Sequence, residues 1–560
     1  MEPSESCKTN EPVAGSRRPF RFLVSTTGWA RGIHNNLGSA AYSYYFVLEA
    51  LAPLLEKYGT WQLVERPESR LPYLAAKAAA EDFRPVHLAL NPPQDVYLSP
   101  AVPTIVFPFW EFPDIPDRDF GTDTRQNWLR VCRSTDMIIT ACKFTADAFR
   151  REPLQCPVAV VPVPLEPVHF ELPDWDLSHT WTLDCRHLVW GGESANVVDG
   201  TDLATPQIVE SPSLGEAPVS WKRRVWLMAR AGYRRIVPWL GPWVAHKIAR
   251  VKHLVFYALG RSPITHERLL SGRPSPGKLI YVAFRSGYRR HVRRWLSDDA
   301  RQQLDRAREA ILRLLGREPV VVIDPLLPSG PLTLGGGVVY TTIFNFGDPR
   351  KNWLDLLSAF LIAFRDRPEV TLVIKMVTNP VREHHEVGLL RQRYEELGLR
   401  HKCRVAVMTE YLSAAQMAEL MKVTTYYVNT SHAEGACLPL QQALAGGRPG
   451  LAPAHSAMAD YMDDSVGFVL QSHAEPSPWP HDPERRLETY WHRLVWSHLR
   501  DTFIASASVA DHDHTRYAAM ATAARDRMRA YAGREKADAA LREALAQLPP
   551  TTLGAFAWAS

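Results

Sequence analysis

The chain has 560 residues, of which 46% are hydrophobic and 22% charged, a composition typical of a globular protein with two or three domains. Its seven cysteines are scattered without a CxxC pair, which argues against a zinc site or a disulfide framework and favours a reducing compartment. The start of the chain lacks the apolar segment of a signal peptide, and no run of about 18 apolar residues occurs. We therefore expect a cytoplasmic protein, with peripheral attachment to the inner face of a membrane as a further option.

The first part of the chain alternates short apolar runs with helical patterns. Residues 1–18 are polar and are expected to be disordered. The run Phe20–Ser25 predicts a strand, and a glycine-containing loop with His34 and Asn35 leads from it into a helical pattern. The alternation continues to residue 167 and predicts a parallel sheet with helices on both faces, that is, an N-terminal Rossmann-like domain over residues 19–167.

Between residues 168 and 334 the alternation is lost, and proline, glycine and tryptophan are frequent. Within this insertion, residues 220–315 hold 22 Lys and Arg against 5 Asp and Glu, so the stretch carries +17 and the remaining chain −12. Aromatic residues among the arginines predict an interfacial helix on an anionic membrane, and a solvated basic helical subdomain is an equally open interpretation. Nucleic acid is not an expected partner, because no zinc-finger, RNP-like or helix-turn-helix pattern accompanies the charge.

A second alternating region predicts another Rossmann-like domain over residues 335–505, followed by an Ala/Arg-rich helical tail over residues 506–560. In this region the run Tyr426–Val428 predicts a buried strand, and the pattern Leu438–Ala445 predicts a helix. Glu434 lies between them, so its carboxylate and the unpaired N–H groups of a helix start are expected to meet at the strand end. Such a place suits a ligand with both hydroxyls and phosphates, and a nucleotide-sugar is one.

The same stretch resembles a known motif. The residues Glu434-Gly435-Ala436-Cys437-Leu438-Pro439-Leu-Gln-Gln442-Ala443 are similar to the donor-binding motif of retaining GT-B glycosyltransferases of family 4 (group 1), of the bacterial polysaccharide type. The resemblance implies an α/β fold of the GT-B class, with two Rossmann-like domains facing a cleft and the basic insertion between them. It also implies that Glu434 acts on the donor sugar and that Gly435, Ala436, Cys437, Leu438 and Gln442 bind the donor. The family has an acidic residue at the position of Gln442. The glutamine keeps a carbonyl acceptor for the ribose hydroxyls but lacks the negative charge.

A second motif begins at Asn345, after the first predicted strand of the second region. The adjacent cations Arg350 and Lys351 can neutralise a diphosphate. In the family an Arg and a Lys occupy this location: Lys351 matches the Lys, whereas the place of the Arg, near Asn345, is not basic, and Arg350 is the substitute candidate. The resemblance thus implies catalytic roles for Glu434, Lys351 and Arg350 and a donor contact at Asn345. The alternative is that the preceding Asp-Pro pair starts a solvated helix and that the two basic residues have no role in binding a ligand.

A third pair of residues, Trp110 and Glu111, follows a predicted strand and resembles the Trp-Glu segment of family-4 enzymes that build bacterial polysaccharides. The resemblance implies that Trp110 offers an aromatic face to an acceptor sugar and Glu111 a carboxylate to a hydroxyl. The other interpretation is a buried strand end with a packed tryptophan. His34 and Asn35 are further candidates for contact with donor or acceptor, although a histidine in a loop is more often merely solvated.

These observations predict the transfer of a sugar from a nucleotide-diphosphate sugar to a glycan or lipid-linked acceptor, with retention of the anomeric configuration, in surface polysaccharide biosynthesis. By resemblance no metal or other cofactor is expected, because cations and backbone dipoles take the place of Mg²⁺. A nucleotide-sugar epimerase or a phosphorylase would need further cleft acids or a pyridoxal lysine, and neither is recognisable. The remaining alternative is a membrane-associated binding or scaffold protein with a degenerate GT-B core, which Gln442 and the missing early Arg favour slightly.

Overall fold

The computed structural model describes residues 18–26, 43–119, 123–192, 327–378, 382–479, 482 and 488–549. Residues 1–17, His34, Asn35 and the basic stretch 220–315 lie outside the described residues, so the predictions made for them stay predictions. No helix within the described ranges is both long and apolar enough to cross a membrane.

The first lobe is built on a parallel sheet. In the described residues this sheet has six strands in the order β2-β1-β3-β4-β5-β6, and every neighbouring pair is parallel. The strands are β1 (Phe20–Thr26), β2 (Gly59–Leu63), β3 (Arg84–Leu90), β4 (Thr104–Val106), β5 (Met137–Thr140) and β6 (Val158–Val160). The helices of this part are α1 (Ser43–Tyr58), α2 (Pro67–Ala80), α3 (Trp128–Cys132), α4 (Lys143–Arg150) and α5 (Pro167–Phe170). Central strands such as β3 are buried along nearly their whole length because both of their faces are covered.

The second lobe is built on a larger sheet. Its order among the described residues is β14-β13-β12-β9-β10-β11-β7-β8, parallel from β14 to β11 and antiparallel from β11 to β8. The parallel strands are β9 (Val338–Asn345), β10 (Val370–Val377), β11 (Arg404–Met408), β12 (Tyr426–Val428), β13 (Gly450–Ala452) and β14 (Gly467–Val469). The helices between them are α6 (Trp353–Ala363), α7 (Glu383–Leu397), α8 (Ala414–Val423) and α9 (Leu438–Ala445). The predicted α/β class with two Rossmann-like sheets is confirmed.

Two strands of the second sheet come from the segment that the sequence pattern assigns to the insertion. The strands β7 (Thr180–Trp190) and β8 (Ser329–Gly335) pair with each other, and β7 pairs with β11. For these residues the boundaries 168 and 334 are therefore corrected: both strands belong to the second lobe. Their pattern was hard to recognise because only alternate side chains are buried at this edge, as in Leu183 and Cys185.

The C-terminal part adds a hairpin and three helices. The hairpin consists of β15 (Ser472–Pro478) and β16 (Glu488–Leu494), and the helices are α10 (Trp496–His512), α11 (His514–Ala532) and α12 (Arg534–Ala546). The predicted tail from residue 506 thus begins inside α10. Helices α10 and α11 pack on the second sheet, whereas α12 returns to the first lobe and buries Leu541 and Leu545 with Phe20 and Val86.

The chain therefore crosses between the lobes more than once, and both sheets belong to one compact unit. Hydrogen bonds hold α12 against α1: the Tyr58 hydroxyl donates to Oδ1 of Asp538 at 2.7 Å, and Lys57 Nζ lies 2.8 Å from Oδ2 of the same residue. At the carboxyl edge of the second sheet, the segments after β9 and β12 lead into the two predicted donor motifs.

Candidate functional site

The carboxylate of Glu434 is the centre of the site. It follows β12 and is 5% exposed. Its Oε1 accepts hydrogen bonds from Lys351 Nζ at 2.5 Å, Ser431 Oγ at 2.6 Å and Asn429 Nδ2 at 3.2 Å. Burial raises the pKa of Glu434, but the charges of Lys351 and Arg350 outweigh burial and lower the pKa to about 2. Glu434 is therefore a carboxylate at any physiological pH.

Lys351 reaches this carboxylate from the other motif. It is the last residue of a short 3₁₀ helix, Pro349–Lys351. Asp348 caps the start of this helix, directly after the turn that follows β9. Burial lowers the pKa of Lys351, but the charges of Glu434 and Asp348 act together in the opposite direction, and the pKa lies above its ordinary value. Two motifs that are 83 positions apart in the chain thus meet in one ion pair.

Arg350 faces the first lobe and is held by three protein acceptors. Its Nε lies 3.0 Å from Oε1 of Glu111, its Nη2 lies 2.5 Å from Oδ2 of Asp348, and its Nη1 donates to the carbonyl of Ala433 at 2.8 Å. Burial raises the pKa of Glu111, and the charge of Arg350 acts in the opposite direction without cancelling the rise. The predicted catalytic residue Arg350 and the predicted acceptor residue Glu111 therefore form an ion pair that joins the two lobes.

The start of α9 packs closely against the first lobe. A Cβ on Gly435 would lie 3.1 Å from the backbone nitrogen of Trp110, and the carbonyl of Gly435 accepts from the Cys142 thiol at 3.4 Å. Ala436 lies in the core cluster of the first lobe. Only glycine fits this close approach without displacing the Trp110 backbone.

The first turn of α9 keeps free donors. Cys437, the residue before the helix, has a left-handed backbone (φ 59°) and makes no side-chain cap, and Pro439 follows Leu438 in the first turn. The N–H groups of Ala436, Cys437 and Leu438 donate to no acceptor among the described residues. Unpaired N–H groups at a helix start favour an anion, as the sequence predicts for this place.

The two glutamines of α9 lie in different surroundings. Gln442 is half-buried, and its side chain forms no hydrogen bond with a described residue. Gln441 is 2% exposed, and its Nε2 donates to the carbonyl of Ala436 at 2.8 Å. Gln441 thereby holds the helix start, whereas the amide of Gln442 keeps its hydrogen-bonding capacity.

Trp110 does not offer the aromatic face predicted for it. The side chain is 2% exposed, and its ring lies 4.4 Å from Trp128 and 5.1 Å from Trp479, measured between ring centroids. Its indole N–H donates to the carbonyl of Asp114 at 2.9 Å. The prediction of a stacking platform for an acceptor sugar is thus corrected: Trp110 is a packed core residue that fixes the position of the neighbouring Glu111.

Asn345 serves the turn that carries the cations. Its Oδ1 accepts from the Gly347 N–H at 3.1 Å, and its carbonyl accepts from the Asp348 N–H at 3.1 Å. The predicted donor contact at Asn345 stays a prediction.

Asn429 and Ser431 are two polar residues of the site that were not singled out in the sequence. Asn429 and Ser431 bind the Glu434 carboxylate, and the Glu434 N–H donates to Ser456 Oγ at 2.9 Å. The hairpin β15–β16 supports the same turn, because the His492 N–H donates to the His432 carbonyl at 2.9 Å, whereas the His432 N–H donates to the Arg350 carbonyl at 2.7 Å. The signal available for Asn429 and Ser431 was their place directly after a buried strand.

No protein-family model and no curated protein matches the chain. Solved structures similar to it include Anabaena HepE in complex with UDP and glucose, at 11% identity, covering 94% of this chain and 99% of that one, with a TM-score of 0.43. Sucrose-phosphate synthase from Thermosynechococcus elongatus is similar at 11% identity over 94% of this chain and 99% of that one, with a TM-score of 0.45. TarM is similar at 7% identity over 83% of this chain and 55% of that one, with a TM-score of 0.39.

These structures are glycosyltransferases of the GT-B class, the class that the two donor motifs resemble.

Proposed function

We propose that the protein transfers a glycosyl group from a nucleotide-diphosphate sugar to a hydroxyl acceptor, with retention of the anomeric configuration. The observation that carries the proposal is the 2.5 Å ion pair between Glu434 and Lys351 beside the unpaired N–H groups of Ala436–Leu438. An acid, a cation and a helix start meet there at the carboxyl edge of a parallel sheet, which is where open α/β sheets bind ligands.

The donor diphosphate is placed at the start of α9. The N–H groups of Ala436, Cys437 and Leu438 donate to its phosphate oxygens, and the ammonium of Lys351 turns from Glu434 toward the phosphate. The N–H groups are fixed by the helix start, and together with Lys351 they stabilise the negative charge that develops on the leaving diphosphate.

Glu434 holds the donor sugar. With a pKa of about 2 it stays ionised, so it accepts hydrogen bonds from sugar hydroxyls and does not donate a proton to the leaving group. Ser431 and Asn429 fix the carboxylate, and they fix the ring of the sugar through it.

The reaction follows from this arrangement. The bond between the anomeric carbon and the diphosphate oxygen breaks, and its electron pair goes to that oxygen. The acceptor hydroxyl forms the new bond on the same face of the sugar, and its proton passes to the departing diphosphate oxygen. Arg350 is a positioning residue in this scheme, because its guanidinium already binds Glu111, Asp348 and the Ala433 carbonyl.

The acceptor we propose is a glycan or a lipid-linked sugar of surface polysaccharide biosynthesis, reached from the cytoplasmic face of a membrane. The support for this is the composition of residues 220–315, whose charge of +17 and interspersed aromatic residues suit an anionic lipid surface.

One observation favours a second candidate, a binding or scaffold protein that no longer transfers sugar. Lys351 and Arg350 are both engaged by carboxylates of the protein, and Gln442 lacks the charge of the family's residue. A scaffold of this kind could bind a nucleotide without turning it over.

The two candidates differ in turnover. The wild-type protein should release nucleoside diphosphate from at least one member of a panel of nucleotide-sugars, including UDP-glucose, UDP-N-acetylglucosamine and GDP-mannose. Measurable affinity for a nucleoside diphosphate without release from any sugar donor would favour the scaffold, and no affinity for any of them would overturn both candidates.

Replacing Lys351 tests its role in that turnover. Lys351→Ala should cost about 2.7–4 kcal/mol of transition-state stabilisation, by analogy with the loss of one oxyanion donor. Lys422→Ala is the matched control, since Lys422 pairs with Glu419 on α8 at 2.7 Å in a more exposed place. Turnover of Lys351→Ala close to that of the control would remove Lys351 from the mechanism.

A further inference from the structure

The two cations of the donor motif are already balanced by carboxylates. Lys351 pairs with Glu434, and Arg350 pairs with Glu111 and Asp348. When all five groups are ionised, two positive and three negative charges leave this cluster with a net charge of −1. A diphosphate that binds here therefore needs a further cation to offset the repulsion from these carboxylates.

Lys375 is a cation at the same edge of the second sheet. It lies on β10, opposite Ile343 on β9 and opposite Met408, the last residue of β11. The side chain is only 6% exposed, yet its Nζ forms no hydrogen bond or ion pair with any described residue. Burial lowers the pKa of Lys375 to about 8, and the charge of Glu410 acts in the opposite direction.

A buried ammonium is costly unless it is paired, and among the described residues only the charge of Glu410 acts on Lys375, without an ion pair. The side chain is nevertheless not completely enclosed, so a ligand at the carboxyl edge can reach it.

The side chain lies on the face of the sheet that α9 covers. Val373, two positions before Lys375 on β10, shares a core cluster with Leu440 and Ala443 of α9 and with Tyr427 of β12. The order β12-β9-β10 separates the strand before α9 from the strand of Lys375 by two strand spacings, about 10 Å. The helix start and the ammonium therefore flank the same part of the carboxyl edge.

We propose that Lys375 binds the phosphate groups of the nucleoside diphosphate part of the donor, opposite the N–H groups at the start of α9. The proposal rests on the proposed function, and it assigns to Lys375 on β10 the role of second cation, which Arg350 does not fill because it is bound to Glu111 and Asp348. A compact ammonium suits phosphate oxygens, which accept hydrogen bonds from several directions. A sugar hydroxyl would leave the charge uncompensated.

Calorimetric titration of the full chain with UDP, GDP, ADP and their nucleosides tests this assignment. The wild type should bind at least one diphosphate, and Lys375→Met should weaken that affinity at least about tenfold while the affinity for the matching nucleoside stays unchanged. Lys375→Arg should recover most of the loss, because it restores a cation. Lys422→Met serves as the control at a paired lysine.

A second measurement uses only the wild type, so it tests the assignment even if Lys375→Met does not fold. Near pH 8, titrations in buffers of different ionisation enthalpy should show proton uptake with the diphosphate and none with the nucleoside, because the phosphate raises the pKa of Lys375. Glu410 is the charged group that acts on Lys375, and at the donor site Glu434 has a pKa of about 2 and Tyr427 a pKa well above its usual value, so neither of the latter two titrates near pH 8.

The outcomes separate the two proposals. If no diphosphate binds the wild type, the proposed function fails and this assignment fails with it. If the wild type binds a diphosphate but Lys375→Met binds it equally well, or the wild type takes up no proton, the proposed function stands and only the assignment of Lys375 is overturned.

Discussion

A glutamate that is buried beside a lysine has a different chemistry from one in solvent, and Glu434 illustrates the difference. Its neighbours keep it ionised, which excludes it as a proton donor and makes it a fixed acceptor for hydroxyls. The same neighbours couple the charge of the site to the stability of the fold, because the pKa of Glu434 is lower in the folded chain than its usual value of about 4.3.

This coupling predicts a pH-dependent stability. Glu434→Gln should lower the free energy of unfolding at pH 7 by about 3 kcal/mol, because the folded state loses a carboxylate whose pKa is depressed. The stabilisation by a depressed carboxylate is complete above the unfolded pKa and is lost as the pH falls toward the folded one. The difference between wild type and variant should therefore shrink between about pH 4 and pH 2 in urea titrations. Glu419→Gln, at an exposed pair, should show a small difference, and a pH-independent gap for Glu434→Gln would contradict the assigned pKa.

Part of the site could be predicted at this scale and part could not. The meeting of Glu434 and Lys351 followed from two motifs, since each lies after a strand of one parallel sheet. The burial of Trp110 did not follow, because a tryptophan at a strand end has the same sequence pattern whether its ring is packed or exposed. Lys375 was not recognised as a site residue because a single lysine inside an apolar run gives the same strand pattern whether or not it binds a ligand.

At the scale of elements, the parallel strands and their helices were the predictable part. The helix Leu438–Ala445 has the predicted bounds, because Pro439 sets its start and the Gly446-Gly447 pair its end. The hairpins β7–β8 and β15–β16 were not predicted, because many of their residues are partly exposed and β15 carries few apolar side chains. The spacing of apolar residues thus predicts strands that are covered on both faces, but it is a weak signal for strands at the edge of a sheet.

The end of α9 gives a prediction at this scale. Gly447 has a left-handed backbone (φ 70°), and a Cβ there would lie 2.7 Å from Nε of Arg525. Gly398, at the end of α7, is also left-handed (φ 57°), but nothing lies within 4 Å of its Cβ position. Gly398→Ala should thus cost about 1–2 kcal/mol from backbone strain, and Gly447→Ala should cost more because the guanidinium of Arg525 must also move. Urea denaturation would measure the free energy of unfolding of both variants. Equal losses of stability would show that the Arg525 side chain moves aside at no cost.

At the scale of the molecule, the last helix makes the lobes interdependent. Leu545 on α12 is fully buried in the core cluster of the first lobe, together with Phe22 and Val24 of β1. The sequence predicted a helical tail but not its place, because the period of apolar residues shows that a helix has a buried face and does not show which sheet covers it.

This packing can be tested by removing one side chain. Leu545→Ala should lower the free energy of unfolding by about 2–5 kcal/mol, because it leaves a cavity against the first sheet. Leu354→Ala is the control, since that leucine is 48% exposed on α6 and should change stability little. A loss for Leu545→Ala as small as that for the control would mean that α12 contributes no packing to the first lobe.

The return of α12 also constrains how the protein can be made and divided. Strands β1–β6 lack the helix that completes their own core, so the first lobe cannot finish folding until α12 has left the ribosome. A fragment that ends after β6 would expose the apolar groove for Leu541 and Leu545 and would be prone to aggregate. Supplying residues 534–549 as a separate peptide should rescue it.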